Sequence, residues 1–421
     1  MNIPQHTELV KIIKQAQQTL ENSSLPTSKN EDWKFSKIAD FNPETYKAAK
    51  NNPVSKEIIE SILGNESNSF KIVLIDGIIS PMYSNYPQDS WKVFPFSEAL
   101  KNETYQTIIL SKLNSISNNE NYFNVLNTAS YQEGTFIYVP KHTIENQLIE
   151  LIYISSKQEY KAISNLRNLF VIEDQSQIQI SERIHTLSEL DFFHNIVTEI
   201  FVGKNTNFSL YKIQDDKHSS CLIDSTYIEQ EKDSNAFVHT FSLGGKTVRN
   251  ELSFDHKGEN INSTLKGVTL IGDGQEVGNH TLVKHNQPNC ESHELYRGIY
   301  QDSAHGIFNG KIKVNKIAQK TNAFQQNNNI LLSENSSIDT KPQLEIFADD
   351  VKCSHGCTVG QLDDDALFYM KQRGIHEKEA KALLMFAFCA DVMESVYIPY
   401  LKNKINKIIA QKLDVNSDFE I

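Results

Sequence analysis

Cysteine is scarce in this chain: Cys221, Cys290, Cys353, Cys357 and Cys389 are the five in 421 residues. A sparse, odd set is not a disulfide framework, so reduced thiols are expected. Basic charge is also short. Lys plus Arg number 41 against 53 Asp plus Glu, a formal net charge of −12. That excludes a protein that wraps nucleic acid or lies on anionic lipid, since both need a concentrated positive face. No stretch approaches the ~18 uncharged apolar residues of a membrane span. The opening Met1-Asn2-Ile3-Pro4-Gln5-His6 has neither the basic nor the apolar run of a signal peptide, so a cytoplasmic location is expected. What remains is ordinary globular composition, 39% hydrophobic and 22% charged, long enough for two or three structural units.

Three patterns divide the chain. In the first region, residues 1–130, Leu9, Ile12, Ile13, Ala16 and Leu20 recur at helical spacing. The run Leu25-Pro26-Thr27-Ser28 then breaks the pattern, and Trp33 is expected to anchor the helix to the rest of the chain. Phe70 to Ile79 reads as a buried strand turning at Asp76-Gly77. Across residues 131–361 short β-prone runs dominate, among them Thr135–Val139, Leu148–Ile154, Leu169–Ile172, Ile178–Ile180, Ile196–Val202, Phe237–Leu243, Leu265–Ile271 and Leu344–Ala348. Polar turn clusters at Asn205–Asn207, Asp233–Asn235, Gly258–Asn262 and Gln287–Asn289 separate them at near-regular intervals. No long helical pattern intervenes, which argues against βαβ units and leaves a sandwich, a barrel or a β-helix. Residues 362–421 are helical. Asp363-Asp364-Asp365 caps a first helix that Gly374 ends, a second starts near Glu377, and Ile405, Ile408, Ile409 and Leu413 stripe a third beyond Pro399. These helices either pack on the β region or form a docking surface.

Gly244-Gly245-Lys246-Thr247 ends like a phosphate-binding loop, but Thr240 stands where the first glycine is required and no helix follows. Gly272, Gly274 and Gly278 have the wrong spacing for a dinucleotide loop. Both read as turns. His280, His285, Cys290, His293 and His305 crowd one segment without matching a zinc pattern, and are expected to be satisfied or solvent-facing. Cys353-Ser354-His355-Gly356-Cys357 is sharper. On a strand, Cys353, His355 and Cys357 share one face at about 6.6 Å per two residues. Soft thiolates with imidazole suit iron, iron–sulfur clusters or zinc. The alternative is two half-buried thiols beside a packed histidine. Asp349 and Asp350 are either carboxylates orienting that histidine or a solvated turn.

The blocks Gly306–Ile312, Ala318–Ala323, Asp339–Gly356 and Phe368–Ile375, with Glu31-Asp32-Trp33-Lys34-Phe35 early in the chain, closely resemble the SufB/SufD family of iron–sulfur cluster assembly proteins. His355-Gly356 after Cys353-Ser354 is similar to the SufD branch, the SufB branch typically carrying His-Glu. The resemblance implies a mainly β fold, a right-handed parallel β-helix flanked by helical N- and C-terminal regions. It implies a non-catalytic scaffold that pairs with a SufB-like paralogue, or with itself when isolated. No cofactor would be permanently bound, and iron or a nascent cluster would be held transiently at the SufB interface by Cys353 and His355. Cys357, where the family commonly has Ala, is the weaker candidate. The resemblance also gives the C-terminal helices to a SufC-like ABC-type ATPase, through Phe368, Tyr369, Arg373, Gly374, Leu383, Leu384, Phe388, Ile405 and Ile408. Partners are therefore proteins, not nucleic acid or membrane. Two rivals stay in view: a carbohydrate-active β-helix enzyme, which would need a carboxylate-lined groove, and a zinc-stabilised structural protein.

Overall fold

The computed structural model describes residues 6–36, 41–64, 69–87 and 89–415. The N-terminal part comprises α1 (Thr7–Glu21), β1 (Lys47–Ala48), α2 (Lys56–Leu63), β2 (Ser69–Ile75), β3 (Ile78–Ile79), β4 (Lys92–Pro95), α3 (Phe96–Ala99), α4 (Glu103–Lys112) and α5 (Tyr122–Ser130). Asp76 and Gly77 both take positive φ between β2 and β3, as a tight two-residue hairpin turn requires.

A solenoid follows: β5 (Gly134–Val139), β6 (Leu148–Ser155), β7 (Ala162–Ile172), β8 (Gln177–Thr186), β9 (Phe192–Val202), β10 (Asn207–Gln214), β11 (Ser220–Gln230), β12 (Asn235–Ser242), β13 (Thr247–His256), β14 (Asn262–Ile271), β15 (Glu276–His285), β16 (Glu291–Tyr300), β17 (His305–Val314), β18 (Thr321–Leu331), β19 (Ser337–Ile346) and β20 (Val351–Gly360). Odd strands from β5 to β19 form one sheet, extended by β4 and β1; even strands from β6 to β20 form the other, extended by β2 and β3. Each coil adds one parallel strand to each sheet. Thr247 pairs with Glu276 and Glu276 with His305, 29 residues apart each time. The fold is thus a β-helix of eight coils, and the sandwich and barrel alternatives fall away.

The recurring polar clusters are the corners of the coils. Gln175, Asn205, Asp233, Asn260, Asn289 and Lys320 all have positive φ there. Asn and Asp tolerate that conformation best among residues with a side chain. The corners also stack: the N–H of Asn205 donates to the Lys232 carbonyl, that of Asp233 to Glu259, and that of Asn289 to Gln319. The two glycine-rich segments are turns as well, Gly245 between β12 and β13 and Gly274 between β14 and β15, both with positive φ.

One apolar core runs along the axis, from Ile72 and Trp91 through Phe170, Leu210 and Phe254 to Phe308. The outer faces are covered too. On the even sheet, Tyr211, Phe241, Val268, Leu270 and Ile299 bury α7 (Glu377–Met393) and α8 (Pro399–Lys412) through Met385, Phe386, Leu401, Ile405 and Ile409. On the odd sheet, Leu9 and Ile13 of α1 join Phe96, Ile109, Leu169 and Val171. The Trp33 segment straps the same sheet further along. Its indole lies under the Arg249 guanidinium, 3.7 Å from the ring centre, Ser36 donates to Glu276 at 2.9 Å, and Glu31 pairs with Lys341. Trp33 is buried, the anchor the sequence suggested. Before α7 comes α6 (Asp364–Gln372), capped by the Asp363 carboxylate and ended at Gly374, which takes positive φ. Among the described residues no helix is long and apolar enough to cross a membrane.

Candidate metal site at the open end of the solenoid

The two ends of the solenoid differ. At the N-terminal end, antiparallel β3 and β4 close the sheets. At the other end β19 and β20 are the last strands, each paired on one side only. α7 and α8 cover the flank of the even sheet, not this end, and Phe347 and Val359 are 59% and 48% exposed there.

β20 carries Cys353, His355 and Cys357, and register fixes where they face. Cys353 pairs with Ala323, which pairs with Ser292; His355 pairs with Gln325, which pairs with Glu294; Cys357 pairs with Asn327, which pairs with Tyr296. All six partners are buried, and Tyr296 belongs to the axial core. Alternation along a strand therefore turns the three candidate ligands toward the axis, at its open mouth. Cys353 packs half-buried against the cluster of Ile312, Val314, Ala318, Ala323 and Ala348, and burial pushes its thiol pKa up. His355 and Cys357 are exposed. Cys353 and Cys357 lie about 13 Å apart along the strand, too far to bind one ion together. Among the described residues no three His, Cys, Asp or Glu side chains are grouped to hold a metal.

Beneath His355 the interior is polar. Gln325 Nε2 donates to Glu294 Oε2 at 3.1 Å, and Thr281 Oγ1, on the opposite sheet, donates to the same oxygen at 2.7 Å. Burial raises the Glu294 carboxyl to about 7. A groove of about 640 Å³ on the outer face of the even sheet, lined by Phe237, His239, Lys266, His293, Phe324 and Tyr397, ends at Ser354, His355 and Gly356 of β20. Of these groove and interior residues outside β20, only His293 is singled out by the sequence, as part of the histidine-rich segment.

The other sequence candidates separate. Asp349 and Asp350 occupy the exposed corner before β20. There the Asp350 N–H donates to Gln319 Oε1 and its carbonyl accepts from Lys320. Asp350 lies about 16 Å along the strand from His355, so the expectation that these carboxylates orient the imidazole is corrected to a corner role. The histidine-rich segment does not converge. His285 bonds Ser292 inside the core, His280 lies against Arg249, His293 stacks on Phe324, and His305 is bridged by Glu276 and Asp339. Cys290 is buried with its thiol directed at backbone carbonyls.

Of the nine docking candidates, Ile405 is fully buried against the even sheet. It is unavailable as a docking contact, a correction that follows from the stripe of α8 facing inward. Leu383, Leu384, Phe388 and Ile408 are half-buried, and Phe388 lies 5.0 Å from the Arg297 guanidinium. Phe368, Tyr369, Arg373 and Gly374 are exposed on α6 and its C-terminus, with Arg373 donating to the Tyr369 hydroxyl at 2.9 Å.

Comparison with known proteins agrees with this architecture. The SufBD core domain of the SUF system for iron–sulfur cluster assembly matches residues 153–388. An iron–sulfur cluster assembly SufBD family protein of Synechocystis is 27% identical over 401 residues, covering 92% of this chain and 87% of that protein. The iron–sulfur cluster assembly protein SufD of Escherichia coli is 27% identical over 409 residues, 95% and 92% of the two chains. The SufD protein of Bacillus subtilis is 29% identical over 305 residues, 70% and 67% of the two chains. The matched domain takes in more than half of the chain and most of the solenoid, including β20 with its cysteines and histidine: the chain belongs to the SufB/SufD family of iron–sulfur cluster assembly proteins.

Proposed function

We propose that the chain is the SufD-type scaffold subunit of a SUF assembly complex, without catalytic activity of its own. The observation that carries this reading is the one-sided pairing of β20, whose axial face presents Cys353, His355 and Cys357. An edge strand offers a row of backbone donors and acceptors to another chain. A SufB-like paralogue laid against it brings its own side chains within reach of ligands that are too widely spaced to complete a site alone. Iron, and the cluster built from it, are the cargo of this interface.

The chain's own residues then have distinct tasks. Cys353 is a thiol kept protonated by burial until a metal displaces the proton. His355 supplies a neutral nitrogen ligand beside it. Cys357 is the weaker candidate, exposed one further step along the strand. Just after β20 in the chain, Phe368, Tyr369 and Arg373 give α6 an exposed aromatic and cationic face suited to a SufC-like ATPase, whose movements would reach the interface through α7 and the even sheet.

The test is anaerobic purification of the complex carrying His355→Ala. Iron and sulfide per complex should fall to a small fraction of the wild-type value while the partners still co-purify. Wild-type loading in that variant would overturn the reading.

A further inference from the structure

We infer that Gln325 and Glu294 are positioning residues for His355, forming an interior column of one side chain per coil that ends in an amide oxygen available to the imidazole. Glu294, Gln325 and His355 are successive register partners on β16, β18 and β20, and all three face the axis. Neighbours in such a column stand about 4.8 Å apart, within reach of a side-chain hydrogen bond. The lower two are already joined. Thr281 and Gln325 both donate to Glu294 Oε2, which fixes the Gln325 amide with its nitrogen toward β16.

That arrangement leaves a debt at the upper end. Gln325 Oε1 is fully buried and accepts no hydrogen bond from the described residues. A buried amide oxygen without a donor is costly, and native structures rarely leave one. The inward side chain on the next coil is His355, whose ring N–H is a donor of the right kind. Asp349 and Asp350 sit at the corner, several residues away along β20, and do not compete for it. Donation from one ring nitrogen to Gln325 leaves the lone pair on the other, turned to the open mouth where Cys353 and Cys357 lie. Metal-binding histidines are held in this way by an acceptor behind the ring. The column therefore selects one tautomer of His355 before any metal arrives. Its functional meaning rests on His355 being a ligand, as proposed above, but its existence does not.

The test uses the full chain labelled with ¹⁵N-histidine, alone in solution, with His355 assigned by its loss in His355→Gln. Long-range ¹H–¹⁵N spectra distinguish a protonated ring nitrogen from one bearing a lone pair. At a pH where the ring is neutral, wild-type His355 should show two well-separated nitrogen shifts, one of each kind. In Gln325→Met, which keeps shape and removes the acceptor, the two shifts should converge as the tautomers mix. Glu294→Gln should preserve the separation, because its amide oxygen still accepts from Gln325. Glu294→Met should reduce it. A mixed ring in the wild type, or an unchanged separation in Gln325→Met with native thermal unfolding, would overturn the inference. Because no iron or partner enters this measurement, its outcome is independent of the loading experiment on the complex.

Discussion

Burial sorts the five thiols of this chain into three classes of reactivity. Cys221, Cys290 and Cys389 are pushed up to about 11, 11 and 12 by loss of solvation, and the thiolate is the reacting form. Cys353 is half-buried with its pKa also raised, and Cys357 is exposed. Maleimide should therefore label Cys357 first, Cys353 more slowly and the other three only on unfolding, as followed by peptide mass mapping. Labelling of Cys389 in the native chain at the rate of Cys357 would contradict this order. Glu294 makes a second single-residue prediction. Its folded pKa of about 7 lies above the ordinary carboxyl value, so the folded chain holds a proton that the unfolded chain releases from about pH 4.5 upward. Its contribution to stability is thus intact below the unfolded value and lost as pH rises through 7. Glu294→Gln should remove this dependence and gain on the wild type by about 3 kcal/mol above neutrality. Urea midpoints at pH 5 and pH 8 measure the difference, and equal differences at both pH values would refute it.

Much of the candidate ligand strand was legible because alternation within one strand is local information. Cys353, His355 and Cys357 are two residues apart, and any extended conformation aligns them. The column below was not legible. Gln325 lies 31 residues beyond Glu294 and His355 30 beyond Gln325, whereas Thr247, Glu276 and His305 repeat at 29. A pitch that changes by one residue reverses the parity of every later position, so the sequence cannot say which side chains stack.

Elements show the same division between local and non-local signals. The corners were readable from Asn and Asp clusters because positive φ is a local demand. Strands such as β18 were not, since its Gln325-Gln326-Asn327-Asn328-Asn329 run has poor strand propensity and is held by ladders to β16 and β20. Strand β12 was legible by contrast: Phe237, His239, Phe241 and Leu243 alternate with Val238, Thr240 and Ser242, and Val238 faces the axis while Phe241 and Leu243 face α7 and α8. The C-terminal helices were legible as helices, but their stripes did not reveal which face was spoken for. The structure buries Ile405 of α8 and leaves Phe368 and Tyr369 of α6 exposed, and a pair of variants tests the proposed docking role. Phe368→Ala with Tyr369→Ala removes side chains 64% and 59% exposed on α6, and should abolish co-elution of the ATPase with the melting temperature unchanged. Ile405→Ala empties a packed position in α8 and should cost about 2–5 kcal/mol, lowering the melting temperature while co-elution of the folded fraction persists. The reverse pattern would show that α8, not α6, is the docking element.

At the scale of the whole molecule, the asymmetry of the two ends matters more than any single coil. Solenoid coils are stabilised by their neighbours, so a coil with a neighbour on one side only is the least protected. The N-terminal end has a substitute neighbour in β3, β4 and the helices around them, whereas β19 and β20 have coils β17 and β18 beneath them and solvent beyond. The two open edges are also unequal. β19 contains Pro342, which lacks an N–H, and β20 contains no proline, leaving β20 the better template for an added strand. Hydrogen exchange should accordingly be fastest among the strands in β19 and β20 of the isolated chain. On assembly with a SufB-like partner, β20 should slow strongly, β19 less, and β7 to β11 not at all, because those strands already have neighbours on both sides. A partner that instead docks on the flanks would slow exchange in the covering helices and leave β20 as it was. That outcome would place Cys353 and His355 outside the interface and remove the physical reason for an unfinished ligand set at the end of the solenoid.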